Sequence, residues 1–343
     1  MKLVLTNWRR YCCCAFVLML SAGVMQHATL AAQPIHPLTI TNLSPVILVQ
    51  GLPDSHNPNV ITHNNWEVRV NYDYVSNFTH DKAANERLFF DGETARIALS
   101  LKTRLFRDAD VEFVMPYIRH DGGSLDAFIE NWHDFFGLPQ NGRVNWPRNQ
   151  LRYWYEKDGA SKFDVTEPVG GAGDAQLILG FRLDRKWFPQ QRQLTFKTAI
   201  KFPTGDADKL TGSGAFAVST WLSGDSRTQW FNVPGLTYYH GGLTWLQEGD
   251  VLADQQRPLV LFGGIGTGAR VTEHIALQLQ LDTHSAIYQD SNFNEINRYA
   301  LMFTMGGNLK LSDVWNLDIA VVEDLYAHTA PDVVFHLALN GRF

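Results

Sequence analysis

From residue 66 onward, apolar and polar side chains alternate. Leu177, Leu179, Phe181 and Leu183 interleave with Gln176, Ile178, Gly180, Arg182 and Asp184. The same beat runs through Leu194, Phe196, Thr198, Ile200 and Phe202, and through Ile275, Leu277, Leu279 and Leu281. It returns from Tyr299 to Leu309 and closes the chain with Val333, Phe335, Leu337, Leu339 and Phe343. Successive strand side chains point to opposite faces, so period two predicts strands with one apolar and one polar face. The polar face carries both signs of charge: Arg69, Asp73, Lys102, Arg104, Arg182, Asp184, Lys186, Lys197, Lys201 and Asp282.

A soluble sandwich buries its apolar faces between sheets, whereas a membrane barrel turns them to lipid around a polar interior. Length and spacing favour the barrel. About twelve segments are predicted, near 66–78, 93–105, 110–120, 172–186, 192–203, 213–224, 228–246, 256–269, 272–286, 294–310, 314–323 and 331–343. Most exceed the roughly five or six residues usual in soluble sheets. Their joins alternate between short (106–109, 187–191, 224–227, 270–271, 311–313) and long (79–92, 121–171, 204–212, 247–255, 287–293, 324–330). Short periplasmic turns and longer outer loops have that rhythm. Phe106, Trp187, Phe188, Trp221, Trp230, Phe231, Trp315 and Phe343 fall beside the predicted short-turn ends, where interfacial aromatics belong. The expected fold is therefore all-β: a transmembrane antiparallel up-and-down barrel of about twelve strands over 66–343.

The period changes once. Leu125, Phe128, Ile129, Trp132, Phe135 and Phe136 recur at three- and four-residue steps within the 121–149 loop insertion. This predicts an amphipathic helix of about three turns, with Ser124 as N-cap and Gly137 and Pro139 as its stop. Its polar face is acidic (Asp126, Glu130, Asp134), which disfavours an anionic membrane surface and favours packing on the barrel mouth or in the lumen. Residues 33–65, with Pro34, Pro37, Pro45, Pro53 and Pro58, read as an irregular lead, periplasmic or tucked into the barrel mouth.

The first 32 residues run from positive (Lys2, Arg9, Arg10) through apolar (Tyr11 to Met25) to small (Ala28 to Ala32), the order of a secretory signal peptide. Cleavage is expected after Ala31 or Ala32. All three cysteines, Cys12, Cys13 and Cys14, lie inside it, so the exported chain would have no disulfide, thiolate metal site or cysteine nucleophile. The formal net charge of the whole chain is -6. This acidic balance argues against nucleic-acid binding.

Asp91-Gly92-Glu93-Thr94, the run from Gly122 to Pro139, Lys201-Phe202-Pro203-Thr204-Gly205-Asp206, Gly212-Ser213-Gly214, Glu323-Asp324-Leu325 and Pro331-Asp332-Val333 resemble an uncharacterised family of Gram-negative outer-membrane proteins, a domain of unknown function. The Lys-x-Pro-Thr-Gly element also resembles one in barrels associated with uptake of hydrophobic or aromatic compounds. The resemblance implies a barrel in the outer membrane and brings no catalytic residues. Gly341 departs from the terminal assembly signal, which usually carries a larger apolar residue there.

The chemistry is sparse. Glu130 and His133 have a spacing that holds metal when two helices supply it, but one helix without a second copy reads as a solvated face. Asp121-Gly122-Gly123 reads as a turn. His284 and Ser285 are strand neighbours facing opposite sides, which leaves His284 with Ser291 as a weak hydrolase pair and His284 bonded in the lumen as the plainer reading. No cofactor or metal is expected. The leading expectation is a narrow channel or solute-binding barrel. Its selectivity would come from the lumen or mouth charges Lys201, Asp206, Arg182, Asp282, Glu323 and Asp324 and from the loop helix bearing Glu130, Trp132, His133 and Asp134. The alternatives are a lipid-modifying hydrolase and a plugged structural barrel. Expected partners are outer-membrane lipid, a small solute, and the barrel-assembly machinery through the terminal strand ending in Phe343.

Overall fold

A computed structural model describes residues 35–343, apart from 55, 62–64, 138–141, 184–192 and 327–328. The expected signal peptide, Asp184, Lys186, Trp187, Phe188 and Pro139 lie outside the described residues. Strands β1 (Trp66–Lys82), β2 (Glu86–Phe106) and β3 (Ala109–Asp121) come first. The short β4 (Arg152–Lys157), β5 (Ala160–Val165) and β6 (Val169–Ala172) follow within the 121–171 join. Then come β7 (Gln176–Arg182), β8 (Gln193–Lys201), β9 (Ala217–Trp230), β10 (Val233–Leu246) and β11 (Leu259–Arg270). The series ends with β12 (Ile275–His284), β13 (Ala300–Lys310), β14 (Trp315–Tyr326) and β15 (Val333–Arg342). Among the described residues the helices are α1 (Pro45–Leu48), α2 (Asp126–Phe136) and α3 (Asn294–Asn297), with short 3₁₀ turns besides.

Twelve strands form a closed antiparallel barrel. Closure comes from β1 pairing β15, in register from Glu67 opposite Arg342 to Ser76 opposite Val333. Leu261 is 58% exposed, Ile265 54% and Met305 45%, all on the outer face, while Gln278, Gln280, Asp282 and His284 on β12 are buried inward. The apolar faces thus turn outward, as a lipid-facing wall requires. Among the described residues no helix is long and apolar enough to cross a membrane; crossing falls to the strands.

One end of the barrel carries tight connections and the other carries long loops. We call them the turn end and the loop end. The β9–β10 turn is two residues, Phe231 and Asn232, both at positive φ (49° and 69°). Paired positive φ values match hairpin twist. This corrects the expected turn at 224–227: β9 simply continues to Trp230. The expected long join at 79–92 is corrected too. There β1 and β2 run on past the lipid band, and β4 pairs with Glu86–Asp91 to extend the wall. Trp221 is another correction, since it is 1% exposed and faces the lumen. Phe106, Trp230, Phe231 and Phe343 are exposed. Gly341 has a local cause: a Cβ there would lie 2.6 Å from Trp315 Cζ3, and the Trp315 ring meets Phe343 edge-on at 5.4 Å.

Met305→Arg places a charge among lipid-facing neighbours such as Leu279. It is expected to destabilise the barrel by about 2–4 kcal/mol, measured by urea unfolding followed through loss of heat-modifiable migration.

Candidate functional site

The lumen is filled by the chain's own lead. Ile35 packs with Leu236, Tyr238 and Ala276 near the turn end. His36 Nε2 lies 3.0 Å from Asp318 Oδ2, and Leu38 N donates to Gln280 Oε1 at 3.2 Å. Higher up, Asn42 Nδ2 meets His284 Nε2 at 2.9 Å and donates to Thr329 O at 3.1 Å. The lead reverses at α1, where Tyr288 donates to Val46 O and receives a bond from Gln50, both at 2.8 Å. Gly51 (φ +62°) completes the reversal. A Cβ there would sit 2.4 Å from Lys201 Cδ, so the position requires glycine for both conformation and space.

The descending limb returns along other strands. Asp54 pairs with Arg96 at 2.8 Å, and His56 stacks on His240 with centroids 3.5 Å apart and planes 1° from parallel. Lys102 donates to Asn59 O at 2.7 Å, and Ile61 N donates to Asp110 Oδ2 at 3.0 Å. Thr103 then donates to Asn65 O at the foot of β1. The 35–61 segment is therefore a folded loop spanning the lumen up and down. It is held by these polar contacts and by apolar packing of Leu38, Ile40, Leu43 and Leu48 against Val75, Met302, Val322 and Val334 of the wall.

Wall charges in the lumen are neutralised in pairs. Arg69 pairs with Glu112 at 2.6 Å and Lys102 with Asp110 at 3.0 Å. Asp73 accepts from Arg96 at 2.9 Å and pairs with His336 at 2.6 Å. A buried ion costs several kcal/mol of desolvation unless partnered, so the plug's Asp54 and His36 complete wall networks. Above α1, apolar side chains from several loops, including Leu210, Leu252, Ile287, Phe293 and Ile296, join Tyr153 and Tyr155 of β4 in one buried cluster. They roof the loop end.

Each expected site residue can now be placed. Lys201 is 2% exposed. Its Nζ pairs closely with Asp174 and donates to Ser213 Oγ (2.5 Å), Ala215 O (2.9 Å) and Val49 O (3.4 Å). It is a staple between wall and plug. The rest of its motif clasps a break in the wall, where β3 changes partner from β6 to β7. Thr204 Oγ1 accepts from Ala175 N (2.8 Å) and donates to Gly173 O (2.7 Å), and Gly205 N donates to Asp174 Oδ1 (2.9 Å). Asp206 sits in an exposed turn, paired with Lys209 at 2.7 Å. Arg182 donates to Val60 O of the lead at 3.3 Å. Asp282 is buried beside His240. Asp324 stands opposite Met302, and Glu323 stands opposite Phe303 and Val333. Glu323 occupies the outward row with Leu317, Ile319 and Val321. Neither carboxylate balances Lys201, whose partner is Asp174.

The structure does not join His284 to Ser291. Both His284 ring nitrogens are engaged, one with Asn42 and the other with Ser285 O at 2.8 Å. Ser291 Oγ donates to Glu86 Oε2 at 2.6 Å. The Ser291 hydroxyl thus faces a carboxylate and not the imidazole, so the expected His284–Ser291 pair is not formed.

The loop helix corrects another expectation. α2, which includes Trp132 and His133, packs outside the barrel, against the outer faces of β1, β2 and β15. Phe128 meets the outward Phe335 edge-on at 6.1 Å. The outward Glu93 accepts from the N–H groups of Ser124 (2.9 Å) and Leu125 (2.5 Å) at the helix start. Sequence reading had assigned that capping to the Ser124 side chain. Gly123 (φ +65°) is required because a Cβ would overlap the Glu93 carboxyl. The acidic face is neutralised: Asp126 pairs with Arg143 at 2.5 Å and Glu130 with Arg148. Asp134 stays exposed. Arg143 also reaches Asp332 at 2.6 Å and lies 5.1 Å over the Phe78 ring. Burial pulls its guanidinium pKa down, but Asp332 and Asp126 raise it above its ordinary value overall. Spatial pairing with arginines from beyond the helix is what charge counting along the helix missed.

A closed barrel with apolar outer belt, polar lumen and interfacial aromatics is a transmembrane β-barrel protein. The chain belongs to the DUF3187 family, a protein of unknown function, whose model matches residues 11–343. No curated protein matches it in sequence. Among solved structures it is similar to the COG4313 outer membrane channel from Pseudomonas putida F1. That match has 13% identity over 85% of this chain and 99% of that one, with a TM-score of 0.54. The NanC porin matches at 7% identity over 80% and 98% of the two chains, TM-score 0.44. The Ralstonia pickettii toluene transporter TbuX matches at 11% over 82% and 90%, TM-score 0.36. At these identities the likeness concerns fold, and it rests on the first.

Lys201→Met leaves Asp174 buried without its cation and is expected to cost about 3–5 kcal/mol in urea unfolding. Arg143→Ala is expected to free α2, seen as faster proteolysis within 124–148 while the barrel keeps its heat-modifiable migration.

Proposed function

We propose that this protein is a gated channel of the Gram-negative outer membrane, in which the N-terminal lead is the gate. The observation that carries the reading is the lead's attachment. Its 35–61 segment is held inside the wall by polar and ionic contacts along both limbs, beside apolar packing of Leu38, Ile40, Leu43 and Leu48 on inward wall residues such as Val75, Met302 and Val334. The polar contacts can exchange for water when the segment moves. The fold shared with a barrel described as an outer membrane channel supports the class. Selectivity for a small solute then rests with the paired wall charges that the lead now covers, including Arg96, Lys102 and Asp110. The signal peptide over 1–32 delivers the chain for export, and the terminal strand ending in Phe343 is the segment for assembly machinery to read. In the same reading, lipid covers the outer belt. α2 lies about ten residues along β1 from Trp66, roughly the span of a tilted strand across the hydrocarbon core, so its exposed Phe128 and Phe135 rest at the outer interface.

One observation favours a second reading, a closed structural barrel: a large buried apolar cluster roofs the lead above α1. Planar-bilayer conductance separates the two. The mature chain is expected to give brief openings, and deletion of 33–61 a steady, larger conductance. Deletion of 125–136 is expected to leave conductance unchanged, because α2 lies outside the wall. Silence of the lead-deleted barrel, with folding confirmed by heat-modifiable migration, would establish the closed reading instead.

A further inference from the structure

We propose that His56, His240 and Asp282 form a binding site for one divalent transition-metal ion, joining the plug to the barrel wall. All three are buried, and one donor atom from each lies within 4.8 Å of the others. They come from three elements: the descending limb of the lead, β10 and β12. His240 and Asp282 flank Gly264 of β11, which pairs with both. His240 Nε2 and Asp282 Oδ1 are 3.6 Å apart, close to the spacing of about 3.4 Å that neighbouring ligands keep around a four-coordinate ion with bonds of about 2.0–2.2 Å.

Two independent features point to a ligand. His56 Nδ1 and Asp282 Oδ1 are buried and make no hydrogen bond. Buried polar atoms are almost always satisfied, so an orphaned pair in one cluster calls for a water or an ion. Gly264 also keeps the space clear: a Cβ there would lie 2.5 Å from Asp282 Oδ1 and 2.5 Å from His240 Cε1. Two imidazoles and one carboxylate suit zinc, with a fourth position left for water, and also suit cobalt, nickel and copper. Gln280, which donates to Asp282 Oδ2 at 2.8 Å, orients the carboxylate as an outer partner does at metal sites. Positive charge stands near the site. Lys197 on β8 lies 5.9 Å over the Trp221 ring and acts on both imidazoles, with Arg69 also acting on His56. Glu112 and Asp110 of β3 oppose Lys102 and Arg69 in acting on Lys197.

The stacked rings define what binding must change. Parallel imidazoles 3.5 Å apart cannot both aim a lone pair at one ion, so His56 turns out of the stack to bind. The Pro53 carbonyl beside it and the edge-on Trp221 ring 6.4 Å away register that turn. The site stands whether or not the lumen conducts. If the lead is the gate, an ion held by wall and lead together is a latch, and this consequence alone rests on the channel reading.

The test uses the chelator-treated, folded mature chain. Zn²⁺ is titrated calorimetrically, and Co²⁺ through its visible absorption. One ion per chain is expected, with the intense bands of a low-coordinate cobalt site and altered Trp fluorescence. His56→Ala, His240→Ala and the near-isosteric Asp282→Asn are each expected to weaken binding by about 100-fold, and Gly264→Ala to weaken it by crowding. Asp282→Asn decides the matter should a histidine variant fail to fold, since it removes charge while keeping shape. No binding by the wild-type chain, or undiminished binding by a folded Asp282→Asn chain, overturns the site and leaves water as the partner of the orphaned atoms. Conductance of the mature chain with and without Zn²⁺ then tests the latch separately from the site.

Discussion

Closure of the hydrogen-bond ladder is the constraint on which everything else depends. In lipid an unpaired backbone amide has no water to turn to. The first and last strands must therefore meet, and the β1–β15 register does this over Glu67–Ser76. That seam places Asp73 beside His336 and brings Phe335 under α2. It also starts β1 at the barrel's foot, so the lead that precedes it emerges directly beneath the lumen.

A polar interior is the second constraint, and it follows from the first. Once apolar side chains face lipid, the alternate positions must face inward, and here they include Arg69, Arg96, Lys102, Glu112 and Asp282. A bare lumen of this kind would have to be wet. In this protein the lead takes the place of much of that water, and it offers Asp54, His36 and backbone carbonyls where the wall offers opposite partners. The roof above α1 adds apolar burial at the apex. The shaft is mixed, since Leu38, Ile40, Leu43 and Leu48 of the lead also pack on Val75, Met302, Val322 and Val334 of the wall. Both polar exchange and apolar burial therefore set how firmly the lead is held.

Much of the fold was legible in the chain. Period two marked the strands, and the alternation of joins marked the two ends, because both are local and repeat many times. The errors share a cause. Trp221 was assigned to the interface from its ring type, but its register turns it inward beside His56. The segment 224–227 reads as a short join between long alternating segments, although Phe231 and Asn232 make the actual reversal. The α2 helix was correctly seen as amphipathic. Its docking was misread because Arg143 and Arg148, which neutralise its acids, lie beyond the helix. The candidate metal cluster was invisible for the same reason: His56, His240 and Asp282 are far apart in sequence and meet only when β10, β11 and β12 align behind the lead.

The sequence by itself determined the strands, their two faces, the membrane-facing side and the presence of one loop helix. These depend on the alternation of side chains along a local stretch of backbone. Only the tertiary structure decided what fills the lumen, where α2 docks and what Lys201 holds. Those outcomes depend on which distant groups closure brings within hydrogen-bonding distance, and no local period encodes that.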